Sequence, residues 1–206
     1  YVSTALRLGA PDRSVAFCVP TGNFGNIYAG YVARQLGLPI EKLVIGTNRN
    51  DILTRYFENG EMRLAGVEPS LSPSMDIQVS SNFERLLFEM MGRDGTAVAK
   101  VMGDFRATGS YSTDHNQMAA ITGLFHAYRS SDEATLEMIR DTYGKTGHVV
   151  DPHTAAALSA AAQFRDAMPD LDMPLVSLAC AHPAKFPDAV EQAIGVRPDL
   201  PPFVHT

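Results

Sequence analysis

The stretch Val15-Ala16-Phe17-Cys18-Val19-Pro20-Thr21-Gly22-Asn23-Phe24-Gly25-Asn26-Ile27-Tyr28-Ala29 decides the fold of this chain. The apolar run from residue 14 to 19 reads as a buried strand, and residues 26–36 carry helical periodicity. Between them lies a turn with two glycines. A Gly-containing turn that runs from a strand into a helix leaves backbone N–H groups unpaired at the positive end of the helix dipole. Such a turn suits a phosphate. The spacing is neither G-x-x-x-x-G-K-[ST] nor G-x-G-x-x-G, so neither ATP nor a dinucleotide is the natural ligand. The residues alone fit a phosphate cradle or an unliganded strand-to-helix turn equally well. In the first case Gly22 and Gly25 allow close approach, Thr21 and Asn23 add side-chain donors, and Asn26 caps the next helix.

Working outward, residues 42–47 and 174–180 are two more strand-length runs, followed by helical patterns over 51–58 and 183–194. Strands alternating with helices predict an α/β fold, a parallel twisted sheet flanked by helices. Further helices are expected at 1–8, 82–91, 96–107, 114–128, 132–143 and 152–168, with Asp132 as an N-cap and Pro152 in a first turn. Residues 59–81 hold Gly, Pro and Ser without a clear period and read as a loop over the sheet. Residues 1–196 read as part of one α/β domain and 197–206 as a loosely attached tail.

The chain has 206 residues, 45% of them apolar, and a net charge of −6 with its cations scattered. That size supports a substantial core, and the charge argues against a nucleic-acid partner. No run of about 18 apolar residues suggests a membrane span. Cys18 and Cys180 sit in apolar runs and read as reduced, buried residues of a cytoplasmic protein. The first residue is Tyr1, so a longer polypeptide is expected.

Five motifs carry a resemblance. Pro20-Thr21-Gly22-Asn23-Phe24-Gly25-Asn26, Ser72-Pro73-Ser74-Met75-Asp76-Ile77, Ser81-Asn82-Phe83-Glu84-Arg85-Leu86-Leu87-Phe88, Asp151-Pro152-His153-Thr154-Ala155 and Ala181-His182-Pro183-Ala184-Lys185-Phe186 occur in this order. Together they resemble the threonine synthases, pyridoxal 5'-phosphate (PLP) enzymes of fold type II, related to the tryptophan synthase β subunit. The resemblance covers nearly the whole chain. It implies the large cofactor-binding domain of such an enzyme, with the cofactor phosphate on Thr21, Gly22, Asn23, Phe24, Gly25 and Asn26. It further implies that Cys180 stands where the family usually has a Thr facing the pyridine nitrogen; on its own, Cys180 reads as a core cysteine. A thiol is a weaker hydrogen-bonding group than a hydroxyl. None of Lys42, Lys100, Lys145 or Lys185 has the context of the family's Schiff-base lysine, which the resemblance places upstream of Tyr1, so no catalytic residue is expected here. The implied reaction of the whole enzyme is O-phospho-L-homoserine and water to L-threonine and phosphate. The chain itself is expected to be the carboxy-terminal portion, inactive alone, with the missing N-terminal portion as its partner. Two other readings are a related phospho-lyase or dehydratase, and a non-catalytic PLP-binding fragment.

The remaining polar residues have plainer readings beside functional ones. His182 is a general acid–base or, more ordinarily, a loop-fixing residue, and Lys185 shares that standing. One Asp and one His in Asp151-Pro152-His153-Thr154 are too few for zinc, so this is a capped helix start that the resemblance places beside the cofactor. Asn48-Arg49-Asn50-Asp51 is a turn or a substrate contact. Ser74, Met75, Asp76 and Asn82 are surface loop or cleft wall.

Overall fold

Strand β1 (Val15–Pro20) is buried at every position and lies between two neighbours. A computed structural model describes residues 1–201 of the chain. In it β1 pairs in parallel with β2 (Ile40–Thr47) and with β6 (Leu175–Ser177), and β2 pairs in parallel with β5 (Phe125–Arg129). The sheet order is β5-β2-β1-β6. Both faces of its centre are covered, which explains the unbroken apolar run rather than an alternating one. Val15, Phe17, Val19, Leu43 and Ile45 enter one core, while Cys18 and Val44 enter another with Ala157, Ala160 and Phe164.

The crossover from β1 to β2 is helix α2 (Gly25–Gln35), preceded in the chain by α1 (Val2–Arg7). After β2 the chain makes a long excursion through α3 (Ile52–Asn59), β3 (Glu61–Arg63), α4 (Phe83–Met90), α5 (Gly95–Thr108), β4 (Ser110–Ser112) and α6 (His115–Thr122). Strands β3 and β4 form a small antiparallel pair. The chain returns as β5, then forms α7 (Asp132–Thr146) and α8 (Pro152–Ala167), adds β6, and closes with α9 (Pro187–Ile194). Helix α8 covers one sheet face at close range, because its contact residues are alanines and its partner in β2 is Gly46. A Cβ on Gly46 would stand 3.0 Å from Ala157 Cα and 3.2 Å from Ala160 Cβ.

The expected helix over 114–128 is corrected. Helix α6 ends at Thr122, Gly123 follows, and Phe125–Arg129 is strand β5 against β2. Its aromatic residues suit a pleated edge, and pairing with β2 decides between the two forms. The strand expected over 174–180 is shorter, Leu175–Ser177, since only that part meets β1. Ser131, not Asp132, caps α7. In the expected tail, Arg197 pairs with Asp188 and Glu191, and residues 202–206 lie outside the described residues. Among the described residues, no helix is long and apolar enough to cross a membrane.

Candidate functional site

All strands of the main sheet are parallel, so β1, β2 and β6 end on one edge, where open α/β sheets place ligands. A cleft of about 370 Å³ opens there. One wall is the turn after β1, from Pro20 to Asn26. The opposite walls are Ser74, Met75 and Asn82, then His153 at the start of α8, and finally Cys180, Ala181 and Lys185 after β6.

The turn begins as a continuation of the ladder, with the Thr21 N–H donating to Gly46 O at 2.8 Å. The Thr21 hydroxyl donates back to Val19 O at 2.7 Å. The expected Thr21 side-chain donor is therefore already committed to the strand. Past Thr21 the carbonyls are taken: Gly22 O accepts from Ser80 Oγ (2.7 Å), and Asn23 O accepts from Asn82 Nδ2 (2.9 Å) and Asn82 N (3.2 Å). With the carbonyls tied to the start of α4, the amides are left over. Among the described residues, none of the backbone N–H groups of 22–26 has an acceptor.

Helix α2 starts at Gly25, with Phe24 at the cap position and no side-chain cap. Asn26 is thus inside the first turn and not the expected cap. Its carbonyl and Oδ1 accept from the Tyr1 hydroxyl at 2.8 and 3.1 Å. Phe24 has φ +65°, unusual for a residue with a side chain. Its buried ring holds that conformation by packing on Phe83, Phe125 and Phe57, with centroids 5.0, 5.9 and 6.4 Å away. A left-handed residue next to right-handed ones turns successive N–H groups into a concave, anion-attracting nest. Gly22 permits the close wall opposite: a Cβ there would meet Met75 Cα at 3.1 Å and Ser74 O at 3.2 Å.

The far wall is set by one carboxylate. Asp151 caps α8 and is buried. It accepts from His153 N (2.9 Å), His153 Nδ1 (2.8 Å), Thr154 Oγ1 and Ala181 N (3.3 Å). Burial pushes its carboxyl pKa up, but these hydrogen bonds outweigh burial and hold it below the ordinary value. Ser74 N–H donates to His153 Nε2 at 3.2 Å. Nε2 therefore carries no proton, and His153 is the Nδ1–H tautomer donating to Asp151. Thr154 Oγ1 also accepts from Cys180 N at 3.1 Å. One helix start thus fixes the wall segment at Ser74 and the segment after β6 together.

Cys180 is exposed, which corrects the expectation of a buried cysteine; Cys18 is buried. Cys180 lies beyond the end of β6, so it escapes the sheet and reaches the cleft. Protein packed around its sulfur, with the Asp151 charge adding to it, pushes the thiol above its ordinary pKa. All of Thr21, Gly22, Asn23, Phe24, Gly25, Asn26 and Cys180 line the one cleft, as do Ser74, Met75 and Asn82. Asp76 does not. It accepts from Asn48 Nδ2 (2.8 Å), Asn50 Nδ2 (3.0 Å), Ser70 N (3.0 Å) and Ser70 Oγ (2.6 Å), a latch that binds residues 48–50 to the loop over the sheet. Arg49 pairs with Asp132 at 2.5 Å. None of residues 48–51 lines the cleft. His182 fixes its loop, Nδ1 accepting from Ala184 N at 3.2 Å. Sequence reasoning missed Ser80, whose partner Gly22 is 58 positions away, and no short-range pattern signals such a tie.

The family model "Threonine synthase, C-terminal" matches residues 154–206. A threonine synthase from Pseudomonas aeruginosa is 51% identical over 202 residues, covering 98% of this chain and 42% of that protein. The chain matches the carboxy-terminal portion of threonine synthase. The crystal structure of a PLP-bound threonine synthase from Brucella melitensis superposes with a TM-score of 0.93 at 50% identity, over 98% of this chain and 42% of that one. Threonine synthase from yeast superposes with a TM-score of 0.86 at 37% identity, over 92% of this chain and 40% of the other. The matches to threonine synthases thus extend well beyond the five motifs, while the chain spans about two fifths of the relatives' length.

Proposed function

We propose that the cleft holds pyridoxal 5'-phosphate and that the full-length protein converts O-phospho-L-homoserine and water to L-threonine and phosphate. The observation that carries the first part is the set of unpaired amides of 22–26 around a cleft at the sheet edge. The residues fit the group. The amides and Asn23 Nδ2 would hold its phosphate, and Gly22 lets the turn lie against Ser74 and Met75, where a Cβ would collide. Cys180, as a neutral thiol, would lie toward the ring nitrogen, and among the described residues no carboxylate lines the cleft. When bound, pyridoxal phosphate supplies the electron sink for removing protons next to the substrate's amino group. The chain's own part is to bind and orient. Phe24 and its aromatic neighbours fix the amides, and the Asp151–His153 pair holds the Ser74 wall in place. Residues 1–196 would form part of the cofactor domain. The two free cysteines fit a cytoplasmic setting. Because its relatives are longer, the stretch alone is expected to form no threonine.

The test is Gly25→Val in the full-length protein. A Cβ at Gly25 meets only the end of the Asn82 side chain, at 3.2 Å, so folding should survive. Cofactor absorbance should fall at least about tenfold at equal cofactor concentration, with the melting temperature within a few degrees of wild type. Unchanged loading would overturn the cofactor assignment. Release of a keto acid instead of threonine by the wild type would overturn the reaction.

A further inference from the structure

The peptide unit between Gly22 and Asn23 is the pivot of the turn after β1. Upstream of it, the Thr21 N–H is held by Gly46 O at 2.8 Å. Downstream, the Phe24 ring is packed on Phe83, Phe125 and Phe57. Between these anchors stand two residue types that resist rotation of a peptide plane least. Glycine has no Cβ to obstruct the rotation, and Asn enters the left-handed region more readily than most residues. Reversing this one plane would exchange the positions of its carbonyl oxygen and its N–H while both anchors stay in place. The local sequence therefore leaves open which end of the peptide unit meets a ligand.

A residue 58 positions away closes the choice, for Ser80 Oγ donates to Gly22 O at 2.7 Å. Ser80 is buried, and its own carbonyl accepts from Phe83 N at 3.0 Å in the turn that opens α4. The peptide bond from Gly22 to Asn23 is trans, so its C=O and N–H point to opposite sides. With the oxygen held on the Ser80 side, the Asn23 N–H lies on the other, where it has no acceptor among the described residues. In the reversed plane a carbonyl oxygen would take the place of that amide and repel an anion. The same helix start repeats the arrangement one peptide further on. Asn82 N and Nδ2 donate to Asn23 O at 3.2 and 2.9 Å, and the Phe83 ring meets that of Phe24.

We infer that Ser80 is a positioning residue for the cofactor, its hydroxyl locking the Gly22–Asn23 peptide so that the Asn23 N–H is presented to the cofactor phosphate. The inference rests on the proposed function, which puts that phosphate on the turn. Ser80 acts through Gly22 and not on the phosphate itself. Without its hydroxyl, part of the population holds the plane reversed, and a phosphate must first select the competent form. Apparent affinity falls by the competent fraction, and it falls only for ligands that carry the phosphate.

The experiment uses the full-length protein freed of cofactor. Equilibrium dialysis gives its affinity for pyridoxal 5'-phosphate and for pyridoxal, which has the same ring and aldehyde without the phosphate. Wild type, Ser80→Ala and Ser80→Thr are compared. Wild type should strongly prefer the phosphorylated ligand. Ser80→Ala should bind pyridoxal 5'-phosphate at least about tenfold more weakly, because a buried carbonyl loses its partner, while its pyridoxal affinity stays within about twofold. Ser80→Thr keeps the hydroxyl and should keep the preference within about threefold. An equal loss for both ligands in Ser80→Ala would overturn the inference, since it marks a general loosening of the site. A Ser80→Thr variant that loses the preference as fully as Ser80→Ala would do the same, because the hydroxyl would then not be the operative group. A wild-type preference that survives intact in Ser80→Ala sinks the inference alone. A wild type that binds both ligands equally sinks the placement of the phosphate on the turn, and the role of Ser80 with it.

Discussion

Phe24 shows how a single residue sets the chemistry of the cleft. A left-handed conformation on a bulky residue costs about 1–3 kcal/mol, and it persists where the surroundings over-determine it. Here three rings do so, and the backbone amides of 22–26 are left without acceptors beside the cleft. Asp151 works at the same scale from the other side. Its folded-state pKa lies below the ordinary carboxylate value, so its ionised form is the one that stabilises the fold. That stabilisation is fully present above the unfolded pKa and is lost as pH falls through the folded value. Melting curves should therefore show the wild type losing stability steeply below about pH 4, while Asp151→Asn starts about 1–3 kcal/mol lower at pH 7 and changes less over the same acid range. A wild-type acid limb no steeper than that of the variant would remove Asp151 from this role. At Cys180 exposure decides the outcome. Cys180→Asp in the full-length protein should still fold, because Cys180 lies beyond the end of β6 at the cleft and outside the sheet core. Cys180→Thr should keep threonine formation within a few-fold, and Cys180→Asp should reduce it at least about tenfold by placing a charge at the ring nitrogen. Equal turnover in all three forms would show that the sulfur has no role at the ring.

At the scale of elements, the main work is done by parallel strands ending on one edge and by α8 pressed against them. Gly46 makes that contact possible, since a side chain there meets the backbone of Ala157. Gly46→Val should lift α8 and cost about 1–3 kcal/mol, read as a lower denaturation midpoint with an unchanged slope. A midpoint equal to wild type would mean that α8 moves freely. The same elements explain what the sequence makes legible. β1, β2 and α2 are plain in it because a doubly covered strand is an unbroken apolar run and its crossover helix follows at once. β5 is hidden, because Phe125-His126-Ala127-Tyr128-Arg129 directly follows a helix of mixed composition and becomes a strand only by pairing with β2. In the cleft, the turn after β1 is legible as a Gly-containing strand-to-helix join. The bonds that aim it are not, since Gly22 O finds Ser80 and Ser74 N finds His153, 58 and 79 positions away.

At the scale of the whole molecule, four distant stretches converge on one sheet edge: the turn after β1, the wall segment at Ser74, the start of α8, and the segment after β6. Their convergence follows from strand order, because β6 comes last in the chain yet pairs beside β1. Among the described residues no carboxylate lines that cleft, although the chain carries a net charge of −6. The proposed cradle for the cofactor phosphate is the set of amides of residues 22–26. The most direct measurement is a crystal structure of the full-length protein with pyridoxal 5'-phosphate. Several backbone nitrogens of 22–26 should lie within about 3.2 Å of the phosphate oxygens, with Phe24 still at positive φ. A cofactor whose phosphate is held elsewhere, with these amides facing water, would contradict it.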